Sequence, residues 1–354
     1  MSEIIELGLK QWENVSSDQL GLTLPGLRID RTRYTNDKKQ QFNILDIDAR
    51  NGKPGPTILA SNSYDFRGQP LFDARMSILA AHANARVMAS EIPGVTINRD
   101  HPFDTHGDFQ TPKQTILAFS GDFDPLATEQ FKAMYEVGQL NDDDEYHLFG
   151  ESLGAYAAVA MARSMAQGKL FGKKFHISRM DLVEPVNAYG NYSVLRQLKM
   201  LHTLATTEDQ RRQLYLAENT QIGHPFGAYE KISPETMRAD KHVKRRQIIA
   251  TYATGAGLRK GLHTALEDAL HDAPELRAMH IGLSRTVDST VSFDTDLQSA
   301  AHTIIKSGGR ASIYLMTGET NDTVPIGHSV LDSLGRMASY TDARQRDLLL
   351  KVRK

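Results

Sequence analysis

The sequence of 354 residues contains no cysteine. Disulfides, thiolate catalysis and cysteine-ligated zinc are thereby excluded, and a reducing compartment is compatible with that absence. Nor is there a run of about eighteen apolar residues, so no transmembrane helix is expected. The opening stretch, "MSEIIELGLKQWENV", carries acids early and has no unbroken apolar centre, unlike a secretory signal. A soluble cytoplasmic protein is the expectation. An excess of one charge sign is lacking too. The 41 Lys and Arg against 43 Asp and Glu leave a net charge of −2, with no field to gather nucleic acid and no acidic tail. Internal repeats and long low-complexity tracts are absent as well.

What is present is ordinary for a globular chain, with 40% apolar and 24% charged residues. The length suits one large domain, or one domain with an inserted subdomain. "GLRIDRTRYT" and "QFNILDIDA" are rich in strand formers and alternate in part, and the turn cluster "NGKPGP" follows them. "TILASNSYDF" reads as a buried strand running into a loop. "FDARMSILAAHANA" has helical spacing at Phe72, Met76, Leu79 and Ala80. Further strands are expected in "RVMASEIPGV", "YHLF", "ISRMDLVEPVNAYG", "LRAMHIGLSRTVD" and "ASIYLMTG". Helices are expected over 124–140, in "AYAAVAMARSMAQG" stopping at Gly168, in "DLQSAAHTIIKSGG" ending at Gly308, and in "SVLDSLGRMASY".

This alternation implies an α/β fold with a mostly parallel central sheet flanked by helices. It is interrupted from about 191 to 274, where helical patterns run on with almost no strand signal. That stretch is expected to be an inserted, mainly helical cap. The core would then comprise residues 1–190 and 275–354.

Residues 146 to 154 read "YHLFGESLG". Gly150 and Gly154 flank Ser152 where a strand ends and an Ala-rich helix starts. A serine hydroxyl is a poor nucleophile at neutral pH and needs a base, usually a histidine oriented by a carboxylate. It also needs N–H donors where an oxyanion develops. Gly-x-Ser-x-Gly at a strand-to-helix turn helps with both demands. The glycines relieve crowding in a tight turn, and the helix N-terminus offers N–H groups, including that of Leu153. The plainer alternative is a serine that caps the helix.

At this point the chain resembles the α/β-hydrolase superfamily. "YHLFGESLGAYAA" looks like its nucleophile elbow, "RVMASEIPGV" is similar to the strand and Pro-Gly turn that precede it, and "TILASNSYDFRG" lies where its oxyanion strand and loop lie. The resemblance spans about residues 27 to 340. Where the family's loop often carries His-Gly, this chain has Asn62-Ser63, so the second oxyanion donor is expected from the backbone of Tyr64 or of Ser63. The resemblance implies the chain order nucleophile, acid, histidine. His328, in "VPIGHSVLD", lies after the last strand and before the last helix, where the family places its base. For the acid, Asp288 in "TVDST" has a helix and the strand 311–318 between it and His328, as the family's order requires. Asp322 in "GETNDTVP" precedes His328 by only six residues, which leaves no room for a strand. Glu184 in "LVEPV" is the third candidate, since some members take the acid after that earlier strand.

The implied activity is acyl hydrolysis, with an ester as default substrate and neither cofactor nor metal required. Acyl transfer or peptidase action by the same triad, or a non-catalytic binding or scaffold protein on this fold, are the alternatives. Other clusters read as solvated surface. "NRDHPFDTHGD", with His101 and His106, fits no metal spacing. "NDDDE" lacks the glycine and ligand order of a calcium loop. "RADKHVKRRQ" is basic with little aromatic interleaving, as on an exposed helix face.

Overall fold

The computed structural model of the chain describes residues 3–9, 27–38, 41–61, 69–90, 122–168, 170–188, 190, 202–203, 207, 210–211, 214–215, 261–289, 291–292, 294–318 and 327–352. The loop with His101 and His106 and the basic segment 238–247 lie outside them, as do Ser63, Tyr64 and Asp322.

Nine strands form one sheet among the described residues. They are β1 (Glu3–Leu9), β2 (Arg28–Thr35), β3 (Gln41–Asp48), β4 (Thr57–Ser61), β5 (Arg86–Ser90), β6 (Glu145–Glu151), β7 (His176–Val183), β8 (His280–Thr286) and β9 (Arg310–Gly318). Their order is β1-β9-β8-β7-β6-β4-β5-β3-β2. Only β2 with β3 and β3 with β5 pair antiparallel; the other neighbours run parallel. The N-terminal stretch, given no element in the sequence reading, forms β1 at the sheet edge beside β9.

Alternation along each strand sends side chains to opposite faces. In β3, Phe42 and Ile44 join one apolar cluster while Leu45 and Ile47 join another. In β5, Met88 serves the first cluster and Val87 and Ala89 the second. Both faces of the sheet are therefore covered, as parallel strands require. The second cluster lies under α1 (Gln69–Ala83) and α6 (Leu334–Val352), through residues such as Met76, Leu79, Leu334 and Met337. The first lies under α2 (Asp124–Gly138), α3 (Gly154–Gln167), α4 (Gly261–Asp272) and α5 (Asp294–Lys306). Helix α3 is buried nearly all round, which its Ala and Met content permits. It stops at Gly168, whose φ of 63° suits the left-handed cap position.

Two expectations change. The range 191–274 does not separate from the core at its C-terminal end. Leu262, Leu266, Ala269 and Leu270 of α4 are buried in the first cluster with residues of α3 and α5, so 261–272 belongs to the layer flanking the sheet. Residues 216–260 lie outside the described part. The final helix also extends well past Tyr340, to Val352. Its inward face there is polar: Thr341, Arg344 and Asp347 are buried. Arg344 bonds Asp181, which Arg179 also holds at 2.9 Å, and Tyr314 bonds Asp347. A buried face of this kind gives no apolar stripe to read.

Candidate active site

The parallel ladder brings three chain segments together. The last paired residues of β6 and β7 are Glu151 and Val183, so Ser152 and Glu184 stand side by side one step beyond the strand ends. Both leave the strands with left-handed backbone, at φ 55° for Ser152 and 48° for Glu184. Such values are uncommon for residues with a side chain and cluster at functional sites. They are held by the ladder itself. The Ser152 N–H donates to the Val183 carbonyl at 2.8 Å, and the Glu184 N–H to the Ser284 carbonyl of β8 at 2.7 Å.

Gly150 makes the turn at Ser152 possible. A Cβ there would lie 2.6 Å from the Gly154 carbonyl oxygen and 2.8 Å from the Ala155 Cα, both backbone atoms of the first turn of α3. Ser152 does not cap that helix through its own side chain: the N-cap position is Leu153, which makes no side-chain cap bond. The Leu153 N–H belongs to the helix start, where N–H groups have no intrahelical acceptor.

The Ser152 hydroxyl instead meets His328, with Oγ 3.1 Å from Nε2. The other ring nitrogen, Nδ1, is 3.3 Å from Glu184 Oε2. A carboxylate only accepts, so Nδ1 carries the hydrogen and Nε2 is left to accept from the serine. Glu184 is fully buried. The Thr286 N–H and the Ser289 hydroxyl donate to its two oxygens, which fixes the plane of the carboxylate. His328 sits in a turn tied down at its start, where the Gly327 N–H donates to the Tyr215 hydroxyl at 3.2 Å.

No family model matches the chain, and no curated protein sequence matches it. Solved structures do. The esterase from Thermogutta terrifontis is 15% identical at a TM-score of 0.51, over 92% of this chain and 100% of that one. The 2-hydroxy-6-oxo-6-phenylhexa-2,4-dienoate hydrolase from Rhodococcus sp. strain RHA1 is 14% identical at 0.52, over 93% and 100%. The enol-lactonase from Burkholderia xenovorans LB400 is 13% identical at 0.52, over 90% and 100%. This chain has the α/β-hydrolase fold.

Within that α/β-hydrolase fold, the structure brings Ser152 and His328 together with Glu184, and not with Asp288. The turn after β8 explains why. Its inward groups, the Thr286 N–H and the Ser289 hydroxyl, point donors at Glu184, and its outward residues, Val287 and Asp288, are exposed. The sequence order was satisfied by Asp288, but the carboxylate facing the imidazole comes from the neighbouring strand. One sign of it was legible in "LVEPV": an acid at the end of an apolar strand must find donors if it is buried.

A second group of charges lies behind the site. Arg75 of α1 bonds Glu151, the residue before Ser152, and reaches Asp332 at 3.2 Å. All three are buried. Burial pushes the Glu151 carboxyl up, the Arg75 guanidinium pulls it back down, and Asp332 adds to the rise. Arg75 carries a signal in the sequence. It falls between Phe72 and Leu79 at helical spacing, a charge set into the apolar stripe of α1.

Among the described residues no group of three or more His, Asp or Glu could hold a metal ion, and no helix is long and apolar enough to cross a membrane.

Proposed function

We propose that the chain is a serine hydrolase of acyl compounds, most simply a carboxylic ester, working through Ser152, His328 and Glu184. The observation that carries this reading is the unbroken line from hydroxyl to imidazole to carboxylate, at 3.1 and 3.3 Å, drawn from three separate segments.

The chemistry follows from the contacts. His328 Nε2 takes the Ser152 proton as Oγ attacks the acyl carbon, and the carbonyl π pair moves to oxygen. The imidazolium so formed lies against Glu184, whose negative charge stabilises it and whose position keeps Nε2 on the serine. Collapse of the tetrahedral intermediate expels the alcohol, which takes the proton from Nε2. Water then repeats the sequence on the acyl-enzyme, its proton passing to His328 and on to Ser152 as the acid leaves.

The oxyanion is assigned to the Leu153 N–H and to a second backbone donor from the loop after β4, Tyr64 or Ser63. Each donor would contribute about 3 kcal/mol to the transition state. Residues 191–260 would cover the acyl pocket as a cap. The fold shared with the Thermogutta esterase and the Rhodococcus hydrolase accords with this reading.

A fluorophosphonate probe tests it. Labelling should reach one per chain and vanish in Ser152→Ala. Folded wild-type protein that takes no label would sink the enzyme reading and leave the non-catalytic one. A panel of esters, thioesters, amides and acyl acceptors then separates hydrolysis from acyl transfer or peptidase action.

A further inference from the structure

We propose that Arg75 is a positioning residue that sets the distance between the nucleophile and the base by bonding one carboxylate beside each of them. The inference rests on the assignment of Ser152 and His328 given above.

Arg75 belongs to α1, which carries no member of the triad. One of its nitrogens bonds Glu151, directly bonded in the chain to Ser152. Another lies 3.2 Å from Asp332, in the short helical turn Val330–Asp332 that follows His328. The turn transmits what happens at Asp332. The Val330 N–H donates to the Gly327 carbonyl at 3.2 Å and the Asp332 N–H to the Ser329 carbonyl at 2.9 Å, so residues 327 to 332 form one braced unit. Fixing Asp332 therefore fixes His328.

The two segments joined by Arg75 are otherwise far apart in the chain: 176 residues separate Ser152 from His328. The contact that joins Ser152 to His328 directly is the reactive one, and a reactive hydrogen bond cannot hold its own geometry through a cycle in which it breaks and re-forms. A planar guanidinium with several donors in a fixed fork suits the bracing role.

Stability alone does not account for such a site. Burying a cation between two carboxylates carries a desolvation cost that well-packed apolar side chains of similar volume would avoid. Geometry does account for it, because a misplacement of about 1 Å at a reacting centre can lower a rate about a hundredfold. Glu151 is also close enough to His328 to interact with it electrostatically.

The test separates binding from reaction. Fluorophosphonate labelling of Ser152 is followed at several probe concentrations, giving a maximal rate constant and a half-saturation concentration. In Arg75→Met the rate constant should fall at least tenfold and the half-saturation concentration should stay within about twofold. Asp332→Asn should slow labelling in the same sense but less. The double variant should be no slower than Arg75→Met, because Asp332 acts through Arg75. Wild-type labelling rates in folded Arg75→Met, or effects that multiply in the double variant, would overturn the proposal. If Arg75→Met does not fold, Asp332→Asn decides, and an unchanged rate there overturns it. Failure of the wild-type protein to label would instead overturn the triad assignment, and this proposal with it.

Discussion

Ser289 donates its hydroxyl hydrogen to the Glu184 carboxylate across the gap between two adjacent parallel strands. The same hydroxyl oxygen accepts the Ser292 N–H at 3.0 Å, so it cannot swing away without breaking the turn. Glu184 would keep the Thr286 N–H if that hydroxyl were lost. Ser289→Ala should therefore lower kcat by about tenfold, equivalent to about 1.4 kcal/mol in the barrier, with KM little changed. Steady-state kinetics on a chromogenic ester would show it, and an unchanged kcat would mean Thr286 alone suffices.

Glu184 and Asp288 should separate cleanly by isosteric substitution. Glu184→Gln leaves volume unchanged but presents an amide that can turn a donor toward Nδ1 and favour the wrong tautomer. Loss of kcat by about 10³ to 10⁴ is expected, as when the orienting acid of a serine triad is replaced. Asp288→Asn, at an exposed turn position, should stay within about twofold of wild type, a surface change having little effect. The reverse ranking would refute the assignment of the acid.

Gly150 leaves no room for a methyl group. In Gly150→Ala the Cβ would press on the Gly154 carbonyl oxygen at 2.6 Å and on the Ala155 nitrogen at 2.9 Å, neither of which can rotate aside. Overpacking of this kind costs about 1 to 3 kcal/mol, and the elbow is what must move. Urea unfolding should report the loss of stability, and Ser152 labelling should slow beyond what the unfolded fraction explains.

His147 makes stability depend on pH. It is buried, with Nδ1 3.0 Å from an Arg344 nitrogen and Nε2 3.3 Å from a Glu145 oxygen. Burial pushes its imidazole below the ordinary 6.5, Arg344 adds to that, and Glu145 and Asp181 oppose it. In the window just below 6.5 the unfolded chain then binds more protons than the folded one. The contribution is complete above that value and is lost as the pH falls toward the lowered one. Unfolding free energies between about pH 7.5 and pH 5 should drop more steeply for wild type than for His147→Gln. Parallel curves would show that His147 does not titrate in that range.

The elements that sequence made visible are those whose buried faces are apolar. Phe72, Met76 and Leu79 announced α1, and the Ala and Met residues after Gly154 announced α3. Ser152 and His328 were legible because each sits at a punctuated junction, between glycines in one case and between a strand and a helix in the other. The carboxylate that faces His328 was not, because the helix and strand before His328 favour Asp288 in chain order, while Glu184 ends the neighbouring strand, one step away in space. The second half of α6 was hidden for a different reason. Thr341, Arg344 and Asp347 face inward to meet other polar groups, Arg179 and Asp181 among them, so no apolar repeat marks that face. Nothing in "EIIELGL" reveals that β1 will pair with a strand some three hundred residues away.

That last pairing dictates an order of events during synthesis. β1 leaves the ribosome some three hundred residues ahead of its partner β9 (Arg310–Gly318). At about 5 to 20 residues per second, the first strand waits roughly fifteen to sixty seconds for its hydrogen-bond partner. His328 follows β9 in the chain, so its imidazole arrives in the same stage that lets β1 pair with β9. On the proposed assignment, a nascent chain stalled before residue 310 would carry Ser152 without the His328 imidazole, and would be inert until that segment is made.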